Sequence, residues 1–474
     1  MKTVFSVNLP VAFFLYLMFP ALGALGQDGI SPYAKNPYYW QCKKQPVMLH
    51  GGSKDDNLFQ IDHLVDHLDL MEQTGANYVR NTMSSRDKGN LRAFKRLSDG
   101  RYDLDQWNPA YWLRFEKMLK ETSPREIFVQ IEFWDQHDYN RGRWDDNPWN
   151  PGQNVNYTVS ETQLKGNGYY ADVKASGSKK MDFFMTVPGL QNDRIVLAYQ
   201  QKFVDKVLSY TFRYDHVLYT ITNELFKQHS SRWSRYWAEY LHDKASQVGI
   251  PIQVTEMFQA VDMHHQHHKI SIDHPETFTY LDISQNSVQM DDQHWEHLQW
   301  VRETISGHVR PINHTKIYGG DSIDWTHGDE HGVECFWRNI FGGAATVRFH
   351  RPPYGIGLNE HARKHIRSAR ILLEEINIFE CKPDASHHLL FDRAPGEAYL
   401  TCIPNKAYAI YFPEGGSVRL DLSKASDTFR LQWLHIEKGE WTEGSFLQAG
   451  KKNRLNTPDK IHGWVALIHK PQSE

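Results

Sequence analysis

The chain has 474 residues, a formal net charge of −4 and an aromatic content of 13%. A charge so close to neutral for this length gives no reason to expect nucleic acid or an anionic membrane surface as a partner. The length exceeds one ordinary domain and suits a large barrel with a small second domain. Many of the rings fill the core of such a protein, and the remainder suit the flat apolar faces of sugars.

Residues 1–26 predict a signal peptide. Lys2 supplies a positive start, residues 4–22 are almost wholly apolar, and Ala24 and Gly26 give a small-residue cleavage site. Prolines within the apolar run and the lack of a basic stop argue against a membrane span. We therefore expect a secreted or periplasmic protein whose mature part has no membrane span.

Residues 27–378 predict a (β/α)₈ barrel. Short apolar or β-branched segments with polar ends alternate with helix-period segments such as that of Ile61, Leu64 and Leu68, which stops at Gly75. The segments are residues 47–50, 78–80, 127–132, 217–221, 252–256, 280–284, 314–318 and 345–350. Eight such units predict a closed parallel sheet. An open doubly wound sheet is the alternative, but no Gly-x-Gly-x-x-Gly turn follows the first strand.

Two regions depart from this repeat. Residues 134–192 are polar and too long for an ordinary connection, so we expect a lid or cleft wall after strand three. Residues 379–474 alternate short strands with turns such as that at residues 413–416, which predicts a small antiparallel β-sandwich domain.

Polar residues at the strand ends predict the functional site, because barrels of this kind place their sites at the carboxyl ends of the strands. We expect Glu224, Asp321 and Lys316 to be catalytic. We expect the substrate to be bound by His50, Arg80, Asn223, Glu256, Tyr318, Arg348 and His350. No cofactor is predicted.

Asn223 and Glu224 carry the strongest signal. A carboxyl preceded by an amide at the end of strand four resembles the acid/base pair of the large clan of retaining barrel glycosidases. The resemblance implies that the amide holds a sugar hydroxyl and that Glu224 protonates the leaving oxygen, which requires a carboxyl of raised pKa. The structural alternative is a carboxylate stabilised by a helix dipole.

The resemblance extends over residues 46–469. Residues 341–345 (Phe-Gly-Gly-Ala-Ala) and 408–418 are similar to those of barrel proteins, related to these glycosidases, that carry a C-terminal domain named for collagen binding. The domain name is not evidence of collagen binding. We expect the sandwich to brace the barrel.

Strand seven departs from the glycosidase pattern. The relatives end this strand in a nucleophilic Glu, whereas this chain offers Lys316 near that position. Asp321, in the following loop, is the expected substitute. Two carboxyls about 5–5.5 Å apart suit a retaining mechanism and about 6.5–9.5 Å an inverting one, so a displaced Asp321 suits an inverting enzyme.

The cations at the strand ends suggest a second chemistry. Arg80, Lys316, Arg348 and His350, with His314 and Arg351, predict an acidic substrate such as a uronic-acid or sulfated sugar. A Lys, His or Tyr base with a neutral Glu224 would suit a polysaccharide lyase or an oligosaccharide dehydratase. Alternatively, some of these cations pair with Glu132, Glu256 or Asp321 across the barrel mouth.

The sequence thus favours a glycoside hydrolase acting on an oligosaccharide or polysaccharide. The lyase is the main alternative, and a non-catalytic carbohydrate-binding protein is the second. His264 and His268 have the spacing of two zinc ligands on a helix, but no third ligand is placed by the sequence, so no metal is predicted.

Overall fold

A computed structural model describes residues 29–140, 142–168, 181–225, 230–320 and 326–471. The predicted signal peptide and Asp321 lie outside the described residues. None of the helices in the described part of the chain is long and apolar enough to cross a bilayer.

Eight parallel strands form the barrel sheet. They are β1 (Leu49–Gly52), β2 (Tyr78–Thr82), β3 (Phe128–Asp135), β4 (Val217–Leu225), β5 (Val254–Phe258), β6 (Leu281–Asp282), β7 (Ile312–Ile317) and β8 (Thr346–Phe349). Their order in the sheet is β5-β4-β3-β2-β1-β8-β7-β6. The gap between β5 and β6 is bridged by hydrogen bonds from Thr279 N to Val254 O (2.9 Å) and from Thr255 Oγ1 to Tyr280 O (2.7 Å). The predicted (β/α)₈ barrel is confirmed.

Helices surround this sheet. They are α1 (Leu64–Thr74), α2 (Pro109–Thr122), α3 (Arg194–Thr211), α4 (Ser230–Gln247), α5 (Gln266–Ile272), α6 (Asp291–Thr304), α7 (Gly328–Phe341) and α8 (Glu360–Glu375). Helix α1 buries Leu64, Leu68 and Met71 and ends at Gly75, whose φ of 81° suits a residue without a side chain. Helix α3 begins at a cap in which Asp193 Oδ1 accepts from Val196 N (3.1 Å).

The long insert after β3 packs through aromatic rings. In its described part it contains short 3₁₀ helices at Gln136–Asp138, Arg143–Asp146 and Asp182–Met185, and the rings of Tyr139 and Phe183 stack 4.2 Å apart. An additional hairpin, Phe94–Arg96 with Tyr102–Trp107, lies between β2 and α2 and bridges to the insert. The sequence prediction did not include this hairpin.

A small N-terminal sheet lies beneath the barrel. Its strands are Ser31–Pro32, Trp40–Cys42 and Gln45–Val47. The buried indole of Trp40 donates to Asn313 Oδ1 (2.9 Å) at the start of β7. The sheet therefore covers the end opposite the mouth, which leaves the mouth at the carboxyl ends of the strands.

The C-terminal region is antiparallel, as predicted. Its strands are β9 (Lys382–Pro383), β10 (Leu390–Phe391), β11 (Tyr399–Ile403), β12 (Ala407–Phe412), β13 (Ser417–Asp421), β14 (Thr428–His435), β15 (Glu440–Trp441), β16 (Ser445–Gln448), β17 (Lys452–Asn456) and β18 (Trp464–His469). One sheet has the order β9-β11-β12-β18-β14-β15, with β16 also on β14, and the other has the order β10-β13-β17.

The sandwich packs on helices α7 and α8. Tyr411 of β12 stacks on Trp337 of α7 at 5.8 Å. Glu437, in the turn after β14, accepts a hydrogen bond from His365 of α8 (2.9 Å) and lies 3.0 Å from His361 of the same helix. The sandwich thus contacts the outside of the barrel rather than its mouth.

Candidate functional site

Strand β4 ends in a bulge at Glu224. Met257 of β5 pairs with Asn223 and the next residue, Phe258, pairs with Leu225, so Glu224 is the extra residue. Its φ of 54° lies in the left-handed region, which costs a non-glycine residue about 1–3 kcal/mol. Bulges beside active sites re-aim a side chain, and strain of this kind concentrates at functional positions.

Four side chains hold the Glu224 carboxylate. Oε1 accepts from Lys316 Nζ, from Tyr318 OH (2.9 Å) and from Gln285 Nε2 (2.9 Å), while Oε2 lies 3.3 Å from His137 Nε2. Lys316 Nζ also donates to Asn223 Oδ1 (3.0 Å). We call these six residues the Glu224 cluster. Its members come from β4, β7 and the segments that follow β3, β6 and β7.

The cluster keeps Glu224 ionised. Burial raises the pKa of its carboxyl, but the Lys316 ammonium and the hydrogen bond and charge of His137 outweigh this and hold the pKa well below its usual range. A general acid needs the opposite shift. The geometry therefore favours a base or a nucleophile at Glu224 over the proton donor that the resemblance implied.

Lys316 and Tyr318 act as donors here. Burial, with the neighbouring Glu224 charge, raises the pKa of the Tyr318 phenol well above its usual range. The Lys316 ammonium donates to an amide oxygen and to a carboxylate. Neither group is arranged to take a proton from a substrate.

A second group of charges lies beside the Glu224 cluster, around Asp56. Arg80 makes two hydrogen bonds to Glu132 (3.0 and 2.7 Å) and an ion pair with Asp56 (3.0 Å). Asp56 also lies 3.0 Å from Arg351 Nε, 3.6 Å from Arg348 and 3.5 Å from His350 Nδ1. Burial raises the pKa of Asp56, but the surrounding positive charges, that of Arg80 first, outweigh burial and hold this pKa well below its usual range.

These pairings neutralise the cations expected to recognise an acidic sugar. Arg80 and Arg348 are fully buried, and Asp56 is shared among them. Arg86, between Asp135, Asp138 and Asp56, extends the same network. Of the pairings that the sequence offered as an alternative, that of Arg80 with Glu132 is present, whereas Arg348 and Arg351 lie beside Asp56 instead.

Two predicted substrate-binding residues lie away from the mouth. The His50 ring is buried against Phe336 of α7 (5.6 Å between ring centroids), in the helix layer. Glu256 is fully buried: its Oε1 accepts from Thr222 N (2.9 Å) and Met257 N (3.0 Å), and its Oε2 accepts from Ser234 Oγ (2.6 Å). Because Thr222 and Met257 flank the bulge, Glu256 positions Glu224.

The sequence prediction missed His137, Gln285 and Asp56. Each lies in the segment directly after a strand, two to four residues beyond its end. Segments such as residues 55–57 (Asp-Asp-Asn) and 135–138 (Asp-Gln-His-Asp) carry a polar signal, but the sequence does not show which residue of such a segment turns towards the mouth.

The fold and the position of the Glu224 cluster define a TIM-barrel protein with a candidate active site at its carboxyl mouth. Its structure is similar to that of a glycoside hydrolase family 5 protein from Bacteroides vulgatus ATCC 8482, at 10% identity over 94% of each chain with a TM-score of 0.61. A second glycoside hydrolase matches at 10% identity over 95% of this chain and 98% of its own, with a TM-score of 0.64. Because the two matches cover 94% and 95% of this chain, they include most of the C-terminal sandwich.

No protein-family model and no curated protein matches the sequence. At 10% identity, the structural similarity shows a shared fold and leaves the activity to be argued from the site.

Proposed function

We propose that the protein is a glycoside hydrolase that cleaves an oligosaccharide or polysaccharide at the Glu224 cluster. The observation that carries this proposal is the bulged Glu224, whose carboxylate is held by four side chains at the mouth while 13% of its surface stays exposed. A carboxylate fixed in this way is one half of the pair that glycosidic hydrolysis requires. The fold shared with glycoside hydrolases supports the same proposal.

Glu224 acts in its ionised form. It either attacks the anomeric carbon or takes a proton from the attacking water, because Lys316 stabilises its negative charge. Asp321, four residues beyond the end of β7 in the chain, is the proposed acid that protonates the leaving oxygen. Asn223, whose Oδ1 is used by Lys316, offers its amide NH₂ group to a sugar hydroxyl.

A neutral sugar is the better supported substrate. The predicted preference for uronic-acid or sulfated sugars depended on unpaired cations, and the cations around Asp56 are paired with carboxylates. An acidic substrate would have to displace a buried ion pair, which costs about 3–5 kcal/mol when one partner is lost. Elimination has less support for a similar reason, since Lys316 and Tyr318 both donate to Glu224.

Hydrolysis of neutral and uronate-containing oligosaccharides tests the proposal. New reducing ends without ultraviolet absorbance from an unsaturated sugar are expected, and Glu224→Gln should lower kcat by about 10³-fold or more. Glu126→Gln is the matched control, because Glu126 is an exposed surface carboxylate. Full activity in Glu224→Gln would refute the site, and absorbance from an unsaturated product would establish a lyase. Binding without turnover would establish a carbohydrate-binding protein.

The roles of the two carboxylates are tested separately. Asp321→Asn should be as inactive as Glu224→Gln, and an added small nucleophile such as azide should restore activity only to the variant that lacks the base or nucleophile, Glu224→Gly. The anomer formed first, observed by NMR, distinguishes inversion from retention. Rescue of an Asp321→Gly variant instead would reverse the assignment.

We further propose that residues 1–26 are removed on export, that residues 27–378 form the catalytic barrel and that residues 379–474 form a bracing sandwich. The stacking of Tyr411 on Trp337 supports the bracing role. N-terminal sequencing of the exported protein should start at Gln27, and limited proteolysis should cut near residue 379. Binding of the sandwich to collagen would point instead to the role in the name of the similar domain.

A further inference from the structure

A group of potential metal ligands lies at the rim of the barrel, outside the Glu224 cluster. Asp262 and His264 belong to the loop after β5, and His297 belongs to α6. Asp262 Oδ1 accepts from His264 Nδ1 (2.9 Å) and lies 3.7 Å from His297 Nε2, and one ligand atom from each residue lies within 4.8 Å of the others. A metal ion would replace the proton on His264 Nδ1, which would then move to Nε2 of that ring. Ligands at about 2.0–2.1 Å from a tetrahedral Zn²⁺ are themselves about 3.4 Å apart. Small side-chain adjustments therefore bring the three atoms to metal-binding distances.

A neighbouring amide fixes the tautomer of His297, that is, which of its two ring nitrogens carries the proton. Its Nδ1 lies 3.1 Å from Asn286 Oδ1, and the amide of Asn286 is itself oriented because its Nδ2 donates to His294 O (2.9 Å). Since an amide oxygen only accepts, His297 Nδ1 carries the proton. The lone pair of a neutral His297 is then on Nε2, which faces Asp262. Metal-binding histidines commonly have this arrangement, with the second nitrogen donating to an oxygen.

The three residues also leave space for a ligand from solvent. The side chains of Asp262 and His264 are 59% and 49% exposed, whereas that of His297 is 8% exposed. The inner ligand is thus fixed and the two outer ligands are accessible from solvent. This suits a three-residue site completed by water.

We propose that Asp262, His264 and His297 bind a divalent transition-metal ion of the Zn²⁺ class. The ion ties the loop after β5 to α6. Two imidazoles and one carboxylate are a ligand set that zinc accepts and that magnesium and calcium do not prefer.

This site differs from the spacing noticed in the sequence. His264 precedes α5 and His268 lies within it, and His268 Nε2 is used by the carbonyl of Ala260 (2.8 Å). The second ligand nitrogen comes instead from α6, 33 residues beyond His264 in the chain.

A second group with similar distances consists of His361, His365 and Glu437. Here the tautomer of His365 is unsuited to binding a metal ion. Trp337 Nε1 donates to His365 Nδ1 (2.8 Å), and an indole only donates, so a neutral His365 carries its proton on Nε2. That Nε2–H donates to Glu437 Oε1 (2.9 Å). No lone pair faces the group from His365, so we assign it as a hydrogen-bonded contact between barrel and sandwich. It supplies the matched control.

Metal binding by the full-length mature protein tests the proposal. After treatment with a chelator and dialysis, titration with ZnCl₂ against a chromophoric competitor should give one site per chain. His264→Ala/His297→Ala should weaken it by at least about 100-fold. Asn286→Ala should weaken it by about 10–100-fold, because His297 Nδ1 loses the acceptor that orients the ring. Co²⁺ at the same site should show the visible absorption of a tetrahedral complex.

The control variant His361→Ala/His365→Ala should keep the site unchanged. Equal Zn²⁺ binding by the parent and by His264→Ala/His297→Ala would overturn the proposal, as would non-saturable uptake by the parent. Loss of the site only in the control variant would transfer it to the other histidines. Circular dichroism of each variant confirms that the fold is intact, so a loss of binding reports on the ligands.

Discussion

Replacing Lys316 with Met should destabilise the protein at neutral pH more than any surface charge substitution. The side chains of Lys316 and Glu224 are 2% and 13% exposed, so they form a buried ion pair. Removing one partner of such a pair costs about 3–5 kcal/mol, because the remaining charge stays buried without compensation. Tyr318, Gln285 and His137 still face Glu224 in the variant, which places the expected loss at the lower end of that range.

The loss of stability caused by Lys316→Met should depend on pH, and its direction follows from the pKa of Glu224. In the parent the pKa of Glu224 is lowered, so its contribution to stability is present above the unfolded pKa of about 4.3 and is lost as the pH falls. Without Lys316 burial dominates and raises that pKa, so the variant loses stability as the pH rises instead. The cost of Lys316→Met should therefore already be present at pH 4.5 and should grow as the pH rises to 7.5.

Urea unfolding followed by tryptophan fluorescence measures this difference. Lys43→Met is the matched control, because Lys43 and Glu126 form an ion pair at 2.7 Å with side chains 60% and 69% exposed. The control should cost no more than about 1 kcal/mol at either pH. Lys316→Met/Glu224→Gln should recover most of the lost stability. If Lys316→Met behaves like the control, or if its cost is independent of pH, Lys316 and Glu224 do not form a buried ion pair.

Three further predictions concern neighbouring groups. Tyr318→Phe should lower kcat by about 10–100-fold and raise the acid-side pKa of the activity profile. The reason is that Glu224 loses a hydrogen-bond donor worth about 1.5–3 kcal/mol. An unchanged pH profile would contradict this. Burial raises the Glu256 pKa to about 8, so the parent should lose stability as the pH rises from about 5 to about 8. Glu256→Gln lacks this carboxyl, so its free energy of unfolding in urea should increase relative to the parent over the same range. A difference that does not change with pH would contradict this. Glu437→Gln should speed proteolysis between barrel and sandwich at pH 7. The hydrogen bond from His365 lowers the Glu437 pKa to about 2, so this effect should shrink as the pH falls from about 4.3 towards 2. Equal cleavage rates at pH 7 would exclude the contact.

The barrel could be predicted because each strand has a local signal. Apolar β-branched runs located all eight strands, although β4 extends to Leu225 beyond the predicted residue 221, because a bulge lets it continue. Strand β6 is shorter than predicted because Ser284 begins a 3₁₀ helix. Such changes arise from pairing with a neighbouring strand, which a single segment does not encode.

The direction of the side chains could not be predicted. Strands of a parallel barrel are buried on both faces, so their sequences lack the alternation that separates inward from outward residues. His50 consequently seemed suited to the mouth although it packs against Phe336, and Glu256 seemed suited although it supports the bulge. The ion pairs could not be predicted either, because partners such as Asp56 and Arg348 are almost 300 residues apart in the chain.

Lys316, which stands where a second carboxylate was expected, also explains why Asn223 and Glu224 alone suggested the wrong role for Glu224. The pair suggested a proton donor, whereas Lys316 favours the ionised carboxylate. A proton-donating carboxyl is produced by an apolar pocket, whereas Glu224 faces an ammonium, a phenol and an amide. For Glu224 to serve as the acid, substrate binding would first have to separate it from Lys316 and leave that buried ammonium without its partner. A sugar hydroxyl compensates only part of that loss, since a neutral acceptor forms a weaker hydrogen bond to an ammonium than a carboxylate does. The resting geometry therefore favours Glu224 as the anion of the proposed site and a different group as its proton donor.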